Sequence, residues 1–178
     1  MTERFYSAYS LAYFAVSQEM GTRKQMSFLE DIYRCEQPWL QPVYARSKKE
    51  FFSDVLYWTD YLTDKENLDK EFPVVAKDFA ASGRQFQKEN LMSDFPEIDL
   101  FFMNMRLRIL YSENKEYIRM KLRTLLKHYG YKRRSTAIVT HMRECMDQYR
   151  IQTYLRGYEK CDITDISLDD MITFRVEQ

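Results

Sequence analysis

Apolar side chains recur at helical spacing from the start of the chain. Over residues 3–19, Phe5, Tyr9, Ala12 and Val16 share one face, with Tyr6, Tyr13 and Phe14 beside them, and Thr2 can cap the start. Gly21 breaks this pattern, and a second helical run follows over residues 23–35 through Met26, Leu29, Ile32 and Tyr33. The stretch Gln37-Pro38-Trp39-Leu40-Gln41-Pro42 cannot be helical throughout, because each proline biases its predecessor toward extended geometry. Ser47 caps a third helix with Glu50 at the capping-box position, and Phe51, Val55, Trp58 and Leu62 lie on its face. Residues 63–72 are polar and predict a loop. Pro73 opens a helix to about Gln87, and Ser93 or Asp94 caps one that opens at Pro96. Residues 98–111 are apolar nearly all round, the pattern of a helix central to a core.

The last third reads differently. Residues 115–129 set Ile118, Leu122, Leu125 and Tyr129 on one helical face and Arg119, Lys121, Arg123 and Lys127 on the rest. Gly130 ends that helix as a residue just past the cap would. A basic link, Tyr131-Lys132-Arg133-Arg134, leads to Ser135, the cap of a helix running through Ile138, Val139, Met142, Cys145, Met146 and Tyr149. After Arg150 the period drops to two. Residues 151–155 and 171–176 alternate apolar with polar and predict strands, with a short third strand at residues 161–166.

The expected fold is mainly α, with a helical N-terminal half (residues 1–95) and a C-terminal module (residues 96–178) ending in a β-hairpin. Composition agrees: 178 residues carry only Gly 4 and Pro 4, so tight turns are few. Net charge is zero, but it is unevenly spread. Residues 1–100 hold 12 basic and 17 acidic side chains, residues 101–160 hold 14 and 5, and residues 161–178 hold 1 and 5. A basic segment inside an acidic chain points to nucleic acid. Cys35, Cys145 and Cys161 are scattered and odd in number, so no disulfide framework is expected. No secretory start and no bilayer-length apolar run is visible, and the expected location is cytoplasmic.

The order helix, helix, turn, helix, strand, long loop, strand over about the last 80 residues resembles a winged helix-turn-helix. That resemblance implies residues 98–111 as first helix, 116–129 as second, 135–149 as recognition helix and 151–176 as hairpin and wing. A strand between the first two helices is not legible, since Ser112-Glu113-Asn114 leaves little room. The wing is acidic at Glu159, Asp162, Asp165, Asp169 and Asp170, so it is expected to face protein or solvent rather than phosphate.

The module implies a recognition helix whose N-terminal part faces base edges. Ser135, Thr136, Thr140 and Arg143 would then be its exposed polar residues, with Lys132, Arg133 and Arg134 meeting phosphates ahead of it. Lys121 and Arg123 on the preceding helix could reach the flanking backbone. A competing reading pairs Arg133 and Arg134 with the acidic loop and Arg143 with Asp147. The expected function is non-enzymatic double-stranded DNA binding; the alternative is a protein–protein adaptor or accessory subunit that binds no nucleic acid. Tyr6, Tyr9, Tyr13 and Phe14 offer aromatic area of the kind used in a protein interface or homodimer. No phosphate loop, nucleophile elbow or HExxH motif is present, so no catalytic residue, cofactor, small-molecule substrate or membrane contact is expected. His141 and Cys145 are spaced to share a helix face, but two side chains do not make a zinc site, and no metal is expected.

Overall fold

The computed structural model describes residues 5–63, 98–113, 116–156 and 158–177. The helix expected from Pro73, the loop before it and the caps at Ser93, Asp94 and Pro96 lie outside these residues. The described protein is mainly α, with one small antiparallel sheet. The chain divides into two compact units, Met1–Asn90 and Leu91–Gln178.

Among the described residues of the first unit the helices are α1 (Ala8–Ser17), α2 (Thr22–Cys35), α3 (Pro42–Arg46) and α4 (Lys48–Thr63), with a 3-10 turn at Gln37–Trp39. Helix α1 starts later than its apolar pattern suggests. Ser7 is its cap, accepting from the Ser10 N–H at 3.0 Å, and Tyr6 ahead of it is extended, its N–H donating to the Trp39 carbonyl at 2.7 Å. Pro42 opens α3, as its fixed φ favours. Ser47 accepts from the Glu50 N–H at 3.3 Å at the start of α4. Leu11, Leu29, Ile32, Phe51 and Val55 are fully buried and form the centre of this unit. Three side-chain hydrogen bonds link its elements: Tyr6 donates to Glu36 at 3.0 Å, Gln25 to Thr59 at 2.5 Å and Tyr44 to Asp54 at 2.9 Å. An unpaired buried polar group would cost about 1–3 kcal/mol, so these bonds help define one packing.

Among the described residues of the second unit the elements are α5 (Ile98–Tyr111), β1 (Ile118–Lys121), α6 (Leu122–His128), α7 (Thr136–Gln148), β2 (Ile151–Tyr154) and β3 (Met171–Val176). Every residue of α5 from Phe101 to Ile109 is buried, including Arg106 and Arg108. Arg106 donates to the Tyr149 carbonyl at 2.7 Å, which places a cation on the carboxyl end of α7, where the helix dipole favours one.

The sheet corrects the sequence reading. Residues 118–121 are a strand, although Ile118, Leu122 and Leu125 carry a helical period. The same four residues also alternate, with Ile118 and Met120 half-buried and Arg119 and Lys121 exposed. Pairing with β3 decides between the two periods, because each ladder bond satisfies a backbone group that a short first helical turn leaves open. Strand order is β1-β3-β2, antiparallel throughout. Ile118, Phe174 and Thr153 form one row across the sheet, and Arg119, Thr173 and Tyr154 the next. Adjacent rows face opposite sides, so the first row lies on the buried face and the second on the outer one. The strand expected at residues 161–166 is absent; residues 163–165 form a turn, and only Lys160 bridges, to Tyr154.

Candidate nucleic-acid interface

The link between α6 and α7 is held open by backbone geometry. Gly130 has φ +80°, and its N–H donates to Lys127 O at 3.1 Å while the Tyr131 N–H donates to Leu126 O at 2.9 Å. These two bonds are the Schellman pattern, and its left-handed residue suits glycine. The chain then passes through Lys132, Arg133 and Arg134 to Ser135, whose side chain accepts from the Ile138 N–H at 3.4 Å and caps α7. The amino end of α7 therefore follows three basic residues directly.

The structure separates those three. Lys132 and Arg133 are exposed and make no ion pair among the described residues. Arg134 donates to the carbonyls of Ile163 and Ile166 at 3.0 and 2.5 Å. It thus pins the acidic loop through backbone oxygens rather than carboxylates. Ser135 is committed to capping, and Thr136 and Thr140 are exposed on α7. Ile138, Val139, Met142, Cys145 and Met146 form the buried face of that helix.

Two further cations are engaged by the loop. Arg123 on α6 meets Asp169 through Nε and an Nη, both at 2.7 Å, and the N–H of Arg123 donates to Leu168 O at 2.9 Å. That side-chain bond, followed by the charge of the guanidinium, holds the Asp169 carboxyl below the usual range. Arg143 on α7 lies 3.3 Å from Asp162, not against Asp147 as the helical spacing suggests. Lys121 is exposed at the end of β1. Asp162 also accepts from the N–H and hydroxyl of Thr164 at 2.8 and 2.7 Å, and Asp170 accepts from the Ser167 N–H at 2.9 Å.

Burial alone would raise the Asp162 carboxyl, but the Thr164 bonds and Arg143 together outweigh it and lower its pKa. A carboxylate with a depressed folded-state pKa stabilises the fold above its unfolded value, about 3.9, and that contribution disappears as pH falls through the folded value. Asp162→Asn should therefore lower the urea midpoint at pH 7, and the gap to wild type should close as the pH falls through the depressed folded-state value of Asp162. A gap that stays the same throughout this acid titration would show that the Asp162 charge does not hold the loop.

A second basic surface escapes the sequence reading. A cleft of about 230 Å³ opens beside the outer row of the sheet, lined by Arg119, Arg156 and Arg175 with Tyr117, Tyr154 and Tyr158. The Arg175 guanidinium lies 5.0 Å from the ring centre of Tyr117 and 4.9 Å from that of Tyr158, and it donates to the Tyr158 hydroxyl at 3.3 Å. Arg119 and Arg156 make no ion pair among the described residues. Three guanidiniums among phenol rings can hold a phosphate and stack a planar group. The signal was the alternation of Tyr117 with Arg119 and of Tyr154, Arg156 and Tyr158. Reading residue 119 as helical dispersed that alternation.

The aromatic residues proposed for a protein interface divide. Tyr6 and Phe14 are interior to the first unit, 0% and 1% exposed, while Tyr9 and Tyr13 are half-buried. Tyr9 packs edge-on against Trp58 of α4 at 5.3 Å, and Phe14 against Phe28 of α2 at 5.3 Å. Most of this aromatic area therefore serves the packing of α1 on its neighbours. No helix among the described residues is long and apolar enough to cross a membrane. Comparison of the chain with models of protein families, with curated proteins and with solved structures finds no match.

Proposed function

We propose that the second unit is a winged helix-turn-helix that binds double-stranded DNA without catalysing a reaction on it. The observation that carries this reading is the turn before α7. Lys132 and Arg133 stand exposed, without ion pairs among the described residues, at the capped amino end of a helix whose outer positions include Thr136 and Thr140. Backbone N–H groups, helix dipole and two cations act there in the same direction on an anion. The succession helix, strand, two helices, hairpin, with strand order β1-β3-β2, supports α7 as the groove-facing helix. Lys121 and the outer-face arginines add sites for flanking phosphates.

A second reading, an adaptor that binds protein, draws on the acidic loop. Asp162 and Asp169 neutralise Arg143 and Arg123, which removes two cations that a phosphate surface would use. Fluorescence anisotropy with a labelled 20-base-pair duplex at 50 and 200 mM salt separates the two. DNA binding predicts an affinity that falls steeply with salt, with a log–log slope of about −0.9 per phosphate contact. Absence of binding at 50 mM salt would favour the adaptor.

A further inference from the structure

We propose that Asp99, His141 and Cys145 form a binding site for a zinc-class divalent metal ion. Asp99 stands in the first turn of α5, while His141 and Cys145 are one turn apart on α7. Two helices remote in sequence thus bring one oxygen, one nitrogen and one sulfur donor together. His141 Nε2 lies 3.2 Å from Asp99 Oδ2, Cys145 Sγ lies 3.5 Å from Asp99 Oδ1, and Sγ lies 3.9 Å from Nε2. All three donor atoms fall within 4.8 Å of one another.

The nitrogen and the sulfur each approach a different oxygen of the Asp99 carboxylate, and rotation of that carboxylate offers one oxygen to both, as a tetrahedral site requires. With bonds of about 2.0–2.2 Å to nitrogen and oxygen and about 2.3 Å to sulfur, tetrahedral angles place N and O about 3.3 Å apart and S about 3.6 Å from each. The sulfur–nitrogen edge, at 3.9 Å, is long by a few tenths of an ångström, and with the separations all below 4.8 Å the three donors close on an ion by side-chain rotation alone. The donor set also selects the ion. A thiolate and an imidazole favour zinc or cobalt over the hard cations magnesium and calcium, which prefer oxygen alone.

Access and charge are suitable. Cys145 is buried, but the His141 side chain is 42% exposed and that of Asp99 22%, so an ion can enter from solvent past the imidazole. Binding replaces the Cys145 S–H bond with a sulfur–metal bond and releases that proton to solvent, with no change of oxidation state. One thiolate and one carboxylate balance a 2+ ion. Three protein donors leave a fourth tetrahedral position, which water fills. The ion would join the first turn of α5 to the middle of α7.

Cobalt(II) titration of the full chain, purified with chelator and reductant, tests the site. The expected result is one equivalent bound, with tetrahedral d–d bands and a near-ultraviolet thiolate-to-cobalt band, both removed by one equivalent of zinc, which stands above cobalt in affinity. Cys145→Ala should abolish the charge-transfer band. His141→Gln and the near-isosteric Asp99→Asn should each weaken binding by at least ~10-fold, since loss even of an outer-sphere partner costs about that much. Far-UV circular dichroism identifies folded variants, and Asp99→Asn keeps the shape of the site if the others do not fold. Binding that is substoichiometric, lacks the thiolate band, or is unchanged in folded Asp99→Asn would overturn the proposal.

Discussion

Replacing Lys132 and Arg133 together with alanine should weaken duplex binding and lower the magnitude of its salt slope by about 2, because each lost phosphate contact removes ~0.9. The loss should be nearly uniform across DNA sequences, as expected of residues that meet the backbone rather than the bases. Both side chains are exposed and make no ion pair among the described residues, so thermal stability should stay within about 0.5 kcal/mol of wild type. Arg134 is left intact by design. Its two bonds to the carbonyls of Ile163 and Ile166 hold the acidic loop, and removing it would mix a structural effect with an electrostatic one. Anisotropy titrations at four salt concentrations measure the slope. An unchanged slope in the double variant would remove the turn from the interface and leave the outer-face arginines to carry it.

The largest stability effect should come from Phe174→Ala. Phe174 is fully buried on β3, the central strand, where it stands opposite Ile118 on one side and Thr153 on the other. Its ring packs on Phe102 of α5 at 6.3 Å between centroids. Truncating a buried phenylalanine to alanine costs about 3–5 kcal/mol through lost transfer energy and the cavity left behind. That is a large part of the ~5–15 kcal/mol that typically separates folded from unfolded domains. Urea unfolding followed by circular dichroism should show the loss, whereas Met171→Ala at the exposed start of the same strand should change the midpoint little. Comparable effects from the two substitutions would contradict the buried and outer faces assigned to this sheet.

Much of the helical architecture is legible in the chain. The second helix, predicted over residues 23–35, is observed at Thr22–Cys35, and the all-round apolar run at residues 98–111 is the buried helix α5. Ser47, Gly130 and Ser135 do what their residue types suggest, because capping and left-handed turn geometry depend on a few neighbouring backbone atoms. Tyr6 and Phe14 show the limit of such reasoning. Their helical spacing marks apolar faces but does not say which face a neighbouring helix covers, and both rings are interior.

The nine residues proposed for nucleic acid illustrate the same limit. Their charges and their place around a helix start are local properties, readable from composition and spacing. Whether each cation is available is not local. Arg123 finds Asp169, Arg143 finds Asp162 and Arg134 finds two carbonyls, all in a loop that lies 19 to 46 residues onward. Only Lys132 and Arg133 are left without such partners among the described residues, while the charge of Lys121 acts on Asp169 of the same loop.

By itself, then, the sequence determined the helical class, the caps at Ser47 and Ser135, the stop at Gly130, the basic segment and the alternation of the last strands. Each of these follows from side-chain chemistry acting over a turn of helix or a few residues of strand. The tertiary structure decided that residues 118–121 extend rather than coil, since the ladder to β3 arbitrates between two periods that the same four side chains satisfy. It also gathered Arg119, Arg156 and Arg175 at one cleft, and it brought Asp99 to His141 and Cys145 from 42 and 46 residues away. Contacts of that range depend on how whole elements pack, and burial of α5 and of the inner sheet face selects that packing with no trace in the local spacing of the residues it unites.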